Sequence, residues 1–412
     1  MTSVRLYQNS DKQLWDAYVM RHPDSTHCHL SGWKDVIEKA YGHIGYYLLA
    51  EEDCKIKGIV PVFHIKSFLF GNQLVSMPFL NYGGILADNE ETEIALLSEA
   101  VKLGQKLKAS TIELRHTNPL SCLNSINLSR EMPCNEYVRG ENATRPVECG
   151  NYYMGSLFHR DSTNSSNSSN PMNPMNPSNS TNPTNPSNPS NCVTKTHKVR
   201  MLLELPGSSD ELFKSYNAKL RSQIRRPQKE GMDSIVGGAE LLDDFYKVFS
   251  INMRDLGSPV HSKNLFKEIL KHFEQNVRIG IVTYKGQSVA AGMIFLFKNV
   301  IEIPWASTLR KYNQFSPNML LYWSFLEYAC KNGHQYFDFG RSTQGEGTHK
   351  FKEQWGAKPF PMYWHNIVLN GRPAGNNESE KSRYETAIRY WKKLPLPISN
   401  ALGPLIRKHI NL

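Results

Sequence analysis

The stretch best equipped for chemistry runs Phe337-Asp-Phe-Gly-Arg-Ser-Thr-Gln-Gly-Glu-Gly-Thr-His-Lys-Phe-Lys-Glu-Gln-Trp-Gly356. A short strand ends in a glycine-rich loop, and the loop leads into a predicted helix. Gly345 and Gly347 supply the permissive backbone of that loop. Such a loop exposes backbone N–H groups, and a helix N-terminus adds partial positive charge, so the two together suit an anion. Arg341, Lys350 and Lys352 add full charges, and Ser342 stands among them. The spacing is not that of a nucleotide-binding G-x-x-x-x-G-K-[ST] loop. The other reading of the same residues is a plain turn with solvated charges.

Two further stretches carry polar groups at element ends. In Asn217-Ala-Lys-Leu-Arg-Ser-Gln-Ile-Arg-Arg-Pro-Gln-Lys-Glu-Gly231, Arg221 and Arg225 share one helix face, and Leu220 and Ile224 share another. Pro227 should kink or end that helix and leave Arg225 and Arg226 at a ligand-facing bend. A basic face of this kind is also commonly just solvated. In Ile303–Trp323, Ser307 and Asn318 are the polar residues, and Trp305 and Tyr322 are aromatic candidates for ligand contact. Such rings pack in cores more often than they form platforms. Asp338 is the nearest acid to the loop, and the sequence leaves open whether it faces a cleft or the core. No Ser-His-Asp or H-E-x-x-H arrangement is present, and His116, His261, His349 and His365 stand apart along the chain.

These residues need elements to hold them. Helices are predicted near Trp15–Met20, Ser31–Tyr41, Thr92–Lys108, Ser208–Lys229, 240–255, 262–275 and Ser316–Asn332. Strands are predicted at Tyr46–Ala50, Gly58–Ile65, Thr111–Arg115, Val199–Leu205, 277–284, 288–297, 299–304, Gln335–Phe339 and Met362–Leu369. Mixed elements on both sides of an unstructured tract predict an α/β or α+β fold in two lobes. The tract spans 161–194: Asn recurs at every third residue from Asn164 to Asn191, often followed by Pro, and there is no charge from Ser162 to Thr194. Its period is that of polyproline II, and it has nothing to bury. The expected division is a first lobe at 1–160, the insert, a second lobe at 195–370 carrying the main motifs, and a basic amphipathic tail at 371–412.

Composition bounds the function. The 412 residues carry a net charge of +10, divided as −3 over residues 1–161 and +13 over residues 162–412. That asymmetry points to a local anionic ligand rather than a long polyanion, and no RNA- or DNA-binding motif accompanies it. The chain start has no apolar leader, no run reaches the roughly 18 apolar residues of a spanning helix, and the seven cysteines show no paired spacing. These features predict a cytoplasmic protein with reduced thiols and no metal site. The tail from Arg389 to Leu412 mixes Trp391, basic residues and aliphatics. It suits peripheral contact with an anionic membrane, or else a packing arm broken by Pro395, Pro397 and Gly403.

The same three stretches, with His29-Leu-Ser-Gly-Trp33, Pro61–Ser67, Leu74–Phe79 and Tyr82-Gly-Gly84, resemble the FemAB family, in particular its exosortase/PEP-CTERM-associated branch. The combination Asp338-Phe-Gly-Arg341 with Phe351-Lys-x-x-Trp-Gly356 carries most of the likeness. The resemblance covers most of the chain outside 120–195 and the last 40 residues. It implies two tandem GNAT-like lobes across a cleft and an acyl- or aminoacyltransferase acting on an amine of an exopolysaccharide or envelope precursor. The implied donor is an acyl-CoA, an acyl carrier protein or an aminoacyl-tRNA. It also implies that Lys352 stabilises the transition state. Ser342 departs from the [QR]-x-x-G-x-G/A loop of GNAT enzymes. Arg341 and Asp338 join Lys352 as candidate catalytic groups. Arg221, Arg225, Arg226, Trp305, Ser307, Asn318, Tyr322, Ser342, Gly345, Gly347, Lys350 and Trp355 are the candidate substrate-binding set. The alternative is a non-catalytic RNA- or membrane-surface scaffold.

Overall fold

The computed structural model describes residues 2–67, 71–122, 192–369 and 386–410. The Asn/Ser/Pro insert, Cys134 and Cys149 lie outside them. In chain order the elements are β1 (Ser3–Leu6), α1 (Lys12–Arg21), α2 (Gly32–Tyr41), β2 (Ile44–Glu52), β3 (Lys55–Ser67), β4 (Gly71–Val75), β5 (Leu86–Ala87), α3 (Glu90–Lys106) and β6 (Thr111–His116). After the insert come β7 (Cys192–Lys195), β8 (Lys198–Glu204), α4 (Ser209–Ser215), α5 (Ala218–Lys229), β9 (Met232–Gly237), α6 (Leu242–Leu256) and α7 (Lys263–His272). Then follow β10 (Val277–Tyr284), β11 (Gln287–Phe297), β12 (Val300–Thr308), α8 (Pro317–Lys331), β13 (Tyr336–Thr343), α9 (Gly347–Glu353), β14 (Lys358–Pro361), β15 (Tyr363–Val368) and α10 (Leu396–Arg407).

Two sheets organise these elements. The first runs β1-β2-β3-β4-β6-β15-β7, with β5 on β3, and the second runs β14-β8-β13-β12-β11-β10-β9. Both are built alike. Three antiparallel strands, β2-β3-β4 or β10-β11-β12, are followed by a helix that crosses over to a strand parallel to the third. The crossover helix is α3 in one lobe and α8 in the other. A parallel pair cannot be joined by a tight turn, so each lobe needs its crossover. The second lobe does not end where the sequence suggested. Strand β15 falls within 195–370, yet it pairs with β6 and β7 in the first sheet. It follows β14 at the edge of the second sheet and so ties the lobes together.

An apolar cluster runs through both lobes. Trp33 of α2 packs with Phe273 and Phe295, whose ring centroids lie 5.1 and 5.8 Å away. The lobes thus share a core of buried apolar side chains.

The Ser208–Lys229 stretch forms two helices instead of one. Asn217 is extended, and its Oδ1 accepts the Leu220 N–H, so it opens α5 as a new helix. Pro227 does not end α5, which continues to Lys229. The proline sits in the last turn, where few i→i−4 bonds remain to lose, and its ring is buried. The tail is interrupted once, between a helical turn at 386–391 and α10, with Pro395 as the residue that precedes α10. Pro397 stands at the start of α10, where no N–H is needed, and Gly403 lets the helix lie against Val260.

Candidate functional site

The parallel ladder between β12 and β13 covers only Val300–Glu302 against Tyr336–Asp338. Both strands continue beyond it, β12 to Thr308 and β13 to Thr343. Just past the last rung, the pairing of β13 with β8 slips between Asp338 and Arg341. Gly340 stands in that irregularity with φ +72°, a conformation that costs any other residue strain. The Lys352 ammonium, carried back by the short helix α9, donates to the carbonyls of Gly340 at 3.2 Å and Arg341 at 2.8 Å. Burial pushes its pKa down to about 8, against the partial counter-pull of Asp338. Gly340→Ala should cost about 1–2 kcal/mol and displace the carbonyls that hold Lys352. A thermal melt reads the loss, and an unchanged Tm would mean that the bulge is not under constraint.

Around this point the lobes meet through buried polar groups. Asp338 is fully buried; its Oδ2 accepts from Arg200 Nε at 2.6 Å and from the Tyr82 hydroxyl at 2.9 Å, and its Oδ1 accepts the Gly340 N–H. On the same rung, across from Asp338, Glu302 of β12 pairs with His27 at 2.7 Å and accepts from Asn81 Nδ2 at 3.2 Å. His27, Asn81 and Tyr82 come from the first lobe, and Arg200, Glu302 and Asp338 from the second. Burial opposes the charge on His27, but Cys28 and Glu302 outweigh it and lift its pKa to about 10. Burial pushes Asp338 up, Arg200 pulls it back, and Glu302 adds to the rise; the net direction is upward. Burial raises Glu302 too, yet His27 and Arg200 bring it below its ordinary value. A cavity of about 350 Å³ opens over His27, Arg200 and Glu302, with Phe295 and Phe297 as apolar wall and Arg21 and Lys298 as cations. His27, Cys28 and Glu302 also bring N, S and O atoms within 4.8 Å, the one such cluster among the described residues, but the shortest of these contacts is the hydrogen bond just given.

The structure brings together part of the sequence-predicted set. Asp338, Arg341, Ser342 and Lys352 gather at the end of β13. Arg341 lies over the Trp364 ring at 4.9 Å, with Arg115 over the same ring at 4.4 Å. Burial, then the nearby Arg115, holds the Arg341 pKa down at about 10. The Ser342 hydroxyl is buried with no partner. Gly345, with φ +82°, lies in the exposed turn, Gly347 is the exposed first residue of α9, and Lys350 is exposed within α9. Tyr322 stacks on Phe339 at 5.6 Å. Ser307 is buried and accepts from Asn252, and Asn318 sits in the first turn of α8. Others serve the fold. Trp355 is completely buried against Tyr216, and Trp305 packs edge-on to Phe266, so neither ring is presented to a ligand. Arg221 closes the end of α4 by donating to the Lys214 and Tyr216 carbonyls, Arg225 lies over Phe213, and Arg226 is exposed. α5 runs on through these arginines to Lys229, so the expected helix end at them is not formed. Asp338 faces neither solvent nor the cavity.

Sequence reasoning did not single out His27, Asn81, Arg200 or Glu302 as site residues. A signal existed for two of them: Arg200 and Glu302 are lone charges inside otherwise apolar strand segments, which a fold accepts only when it pairs them.

The duplicated three-strand and crossover arrangement, with strands parting at the centre, defines two tandem GNAT-like lobes. Residues 214–353 match the family model described as an acetyltransferase (GNAT) domain. No curated protein matches the chain. Among solved structures, FemX is similar at 14% identity, covering 89% of this chain and 98% of that one, with a TM-score of 0.59. The C-terminal domain of a putative lysylphosphatidylglycerol synthetase from Agrobacterium fabrum aligns at 11% identity over 92% and 95% of the two chains, TM-score 0.50. A conserved protein of unknown function from Bacteroides thetaiotaomicron aligns at 11% identity over 89% and 100%, TM-score 0.50.

Proposed function

We propose that this protein is an N-acyltransferase, or aminoacyltransferase, that modifies an amine on an exopolysaccharide or cell-envelope precursor. The observation that carries the reading is the Lys352 ammonium, fixed on two backbone carbonyls where β12 and β13 part, inside the segment that matches a GNAT domain. In the reaction the amine nitrogen attacks the acyl carbonyl carbon of a thioester or ester. A C–N bond forms, the C–S or C–O bond breaks, and the leaving thiol or alcohol departs with the proton that the amine gives up. Negative charge collects on the carbonyl oxygen at the transition state, and a preorganised cation stabilises it more than it stabilises the reactant. Lys352 takes this role, with Arg341 as a second cation. The acceptor reacts as its neutral amine, its extra proton having passed to solvent, and Glu302, which lines the cavity, is held in place there by His27 and Asn81. Asp338, enclosed by its three donors, positions the Gly340 bulge and does not touch substrate. The resemblance to the exosortase-associated FemAB branch supports the exopolysaccharide acceptor, and it leaves acyl-CoA, acyl carrier protein and aminoacyl-tRNA as donors.

The test is mass spectrometry of polysaccharide and envelope precursors from a host strain lacking the gene, complemented with the wild type or with Lys352→Ala. The expected result is an N-acylated amine that disappears on deletion, returns with the wild type and does not return with the variant. Identical profiles in all strains would overturn the assignment.

A further inference from the structure

We propose that the C-terminal arm docks this protein onto an anionic lipid surface, with α10 lying in the plane of the interface. From Thr386 to Leu412 the chain has no acidic residue and five basic ones, Arg389, Lys392, Lys393, Arg407 and Lys408. One side of α10 is fastened to the body. Gly403 lies against Val260, Ser399 is buried, Arg407 donates to His261 at 3.1 Å, and the Lys408 carbonyl meets His43 Nε2 at 2.6 Å. Those contacts reach both lobes, so the arm is held in place.

A different side of the helix carries Ile398, Leu402 and Leu405, spaced i, i+4, i+7, and all three are exposed, Leu405 to 59%. The helical turn at 386–391 adds exposed Ile388 and Tyr390, the latter at 69%, and Ile388 lies against Gly257 beside exposed Leu256. Arg389, Lys392 and Lys393, all exposed, lie along the chain between Ile388 and the start of α10. Five exposed large apolar side chains in one short arm, three of them in a row along α10, are more than a monomer's surface needs. Apolar residues and cations with no acid among them fit a bilayer interface, where acyl chains accept the former and anionic headgroups the latter. No helix among the described residues is long and apolar enough to cross a membrane. With its 12 residues, α10 therefore lies on the surface and does not span it. Arg407 belongs to this arm and also faces Arg115 and Tyr41 of the first lobe, so docking brings the interlobe region close to the headgroups. This inference does not depend on the acyltransferase reading.

The experiment is co-sedimentation of the full chain with vesicles of phosphatidylcholine containing phosphatidylglycerol, and with pure phosphatidylcholine. Binding is expected to the anionic vesicles, weakened by salt. It should fall about tenfold or more in Leu402→Glu/Leu405→Glu and in Lys392→Glu/Lys393→Glu. The lysine pair is exposed, so its reversal leaves the fold intact, and an unchanged melting profile confirms this. Absence of binding by the wild type at low salt overturns the proposal, as does binding that neither variant weakens. A self-association that Leu402→Glu/Leu405→Glu abolishes, with no vesicle binding, assigns the face to a second copy instead and also overturns it.

Discussion

Lys352→Met should lower kcat by about 10²- to 10³-fold and at the same time raise thermal stability at neutral pH. The first effect is what removal of one preorganised charge from an acyl-transfer site costs. The second follows from burial: the lysine's pKa falls to about 8 from an ordinary 10.5, so the folded state disfavours the charged form. That penalty is about 3 kcal/mol, fully present below pH 8 and gone above the ordinary lysine value. Against it stand the hydrogen bonds to Gly340 and Arg341, whose loss costs about 1–2 kcal/mol. The net gain is about 1–2 kcal/mol, an increase of about 2–4 °C in Tm at pH 7 that shrinks between pH 8 and 10.5. Wild-type turnover needs the ammonium, so it should decline as pH rises through about 8. Melts and pH–rate profiles of both proteins check this. A variant that is inactive and also less stable at pH 7 would mean that Lys352 is a structural residue.

Arg200→Met should destabilise the protein by about 3–5 kcal/mol, the largest stability effect expected of any single change. It removes the 2.6 Å ion pair with Asp338 and leaves a carboxylate with no accessible surface and no cation bonded to it. The Arg200 guanidinium also lies 5.1 Å from the Tyr82 ring, so the same change loosens a contact between lobes. The double variant Arg200→Met/Asp338→Leu should regain most of the loss, because it takes both charges out of the interior. Denaturant melts of the two single variants and the double variant give the coupling energy. A coupling below about 1 kcal/mol would show that the pair does not hold the junction.

Much of the fold was legible in the sequence because local rules govern it. The apolar runs of β10 and β11, buried on both faces, mark central strands of a covered sheet, and Pro317 at its start with Gly333 past its end frames α8. The approach of Lys352 to Arg341 was half legible, since the strand, turn and helix between them span little chain. The failures have physical causes. Pro227 and Pro397 read as breakers, yet each sits near a helix end, where a missing N–H costs little. Trp305 and Trp355 read as possible ligand platforms, and packing decided against both.

The sequence by itself determined the type of most elements, mixed strands and helices on both sides of the insert, the uncharged insert itself and the cluster of cations after β13, because periodicity, turn chemistry and charge are written residue by residue. Only the tertiary structure decided that β15 returns to the first sheet, that Asp338 is enclosed, and that His27 meets Glu302 across 275 positions of chain. Partners that far apart are chosen by how two lobes fit, and a buried charge takes its role from the group that the fold places opposite it.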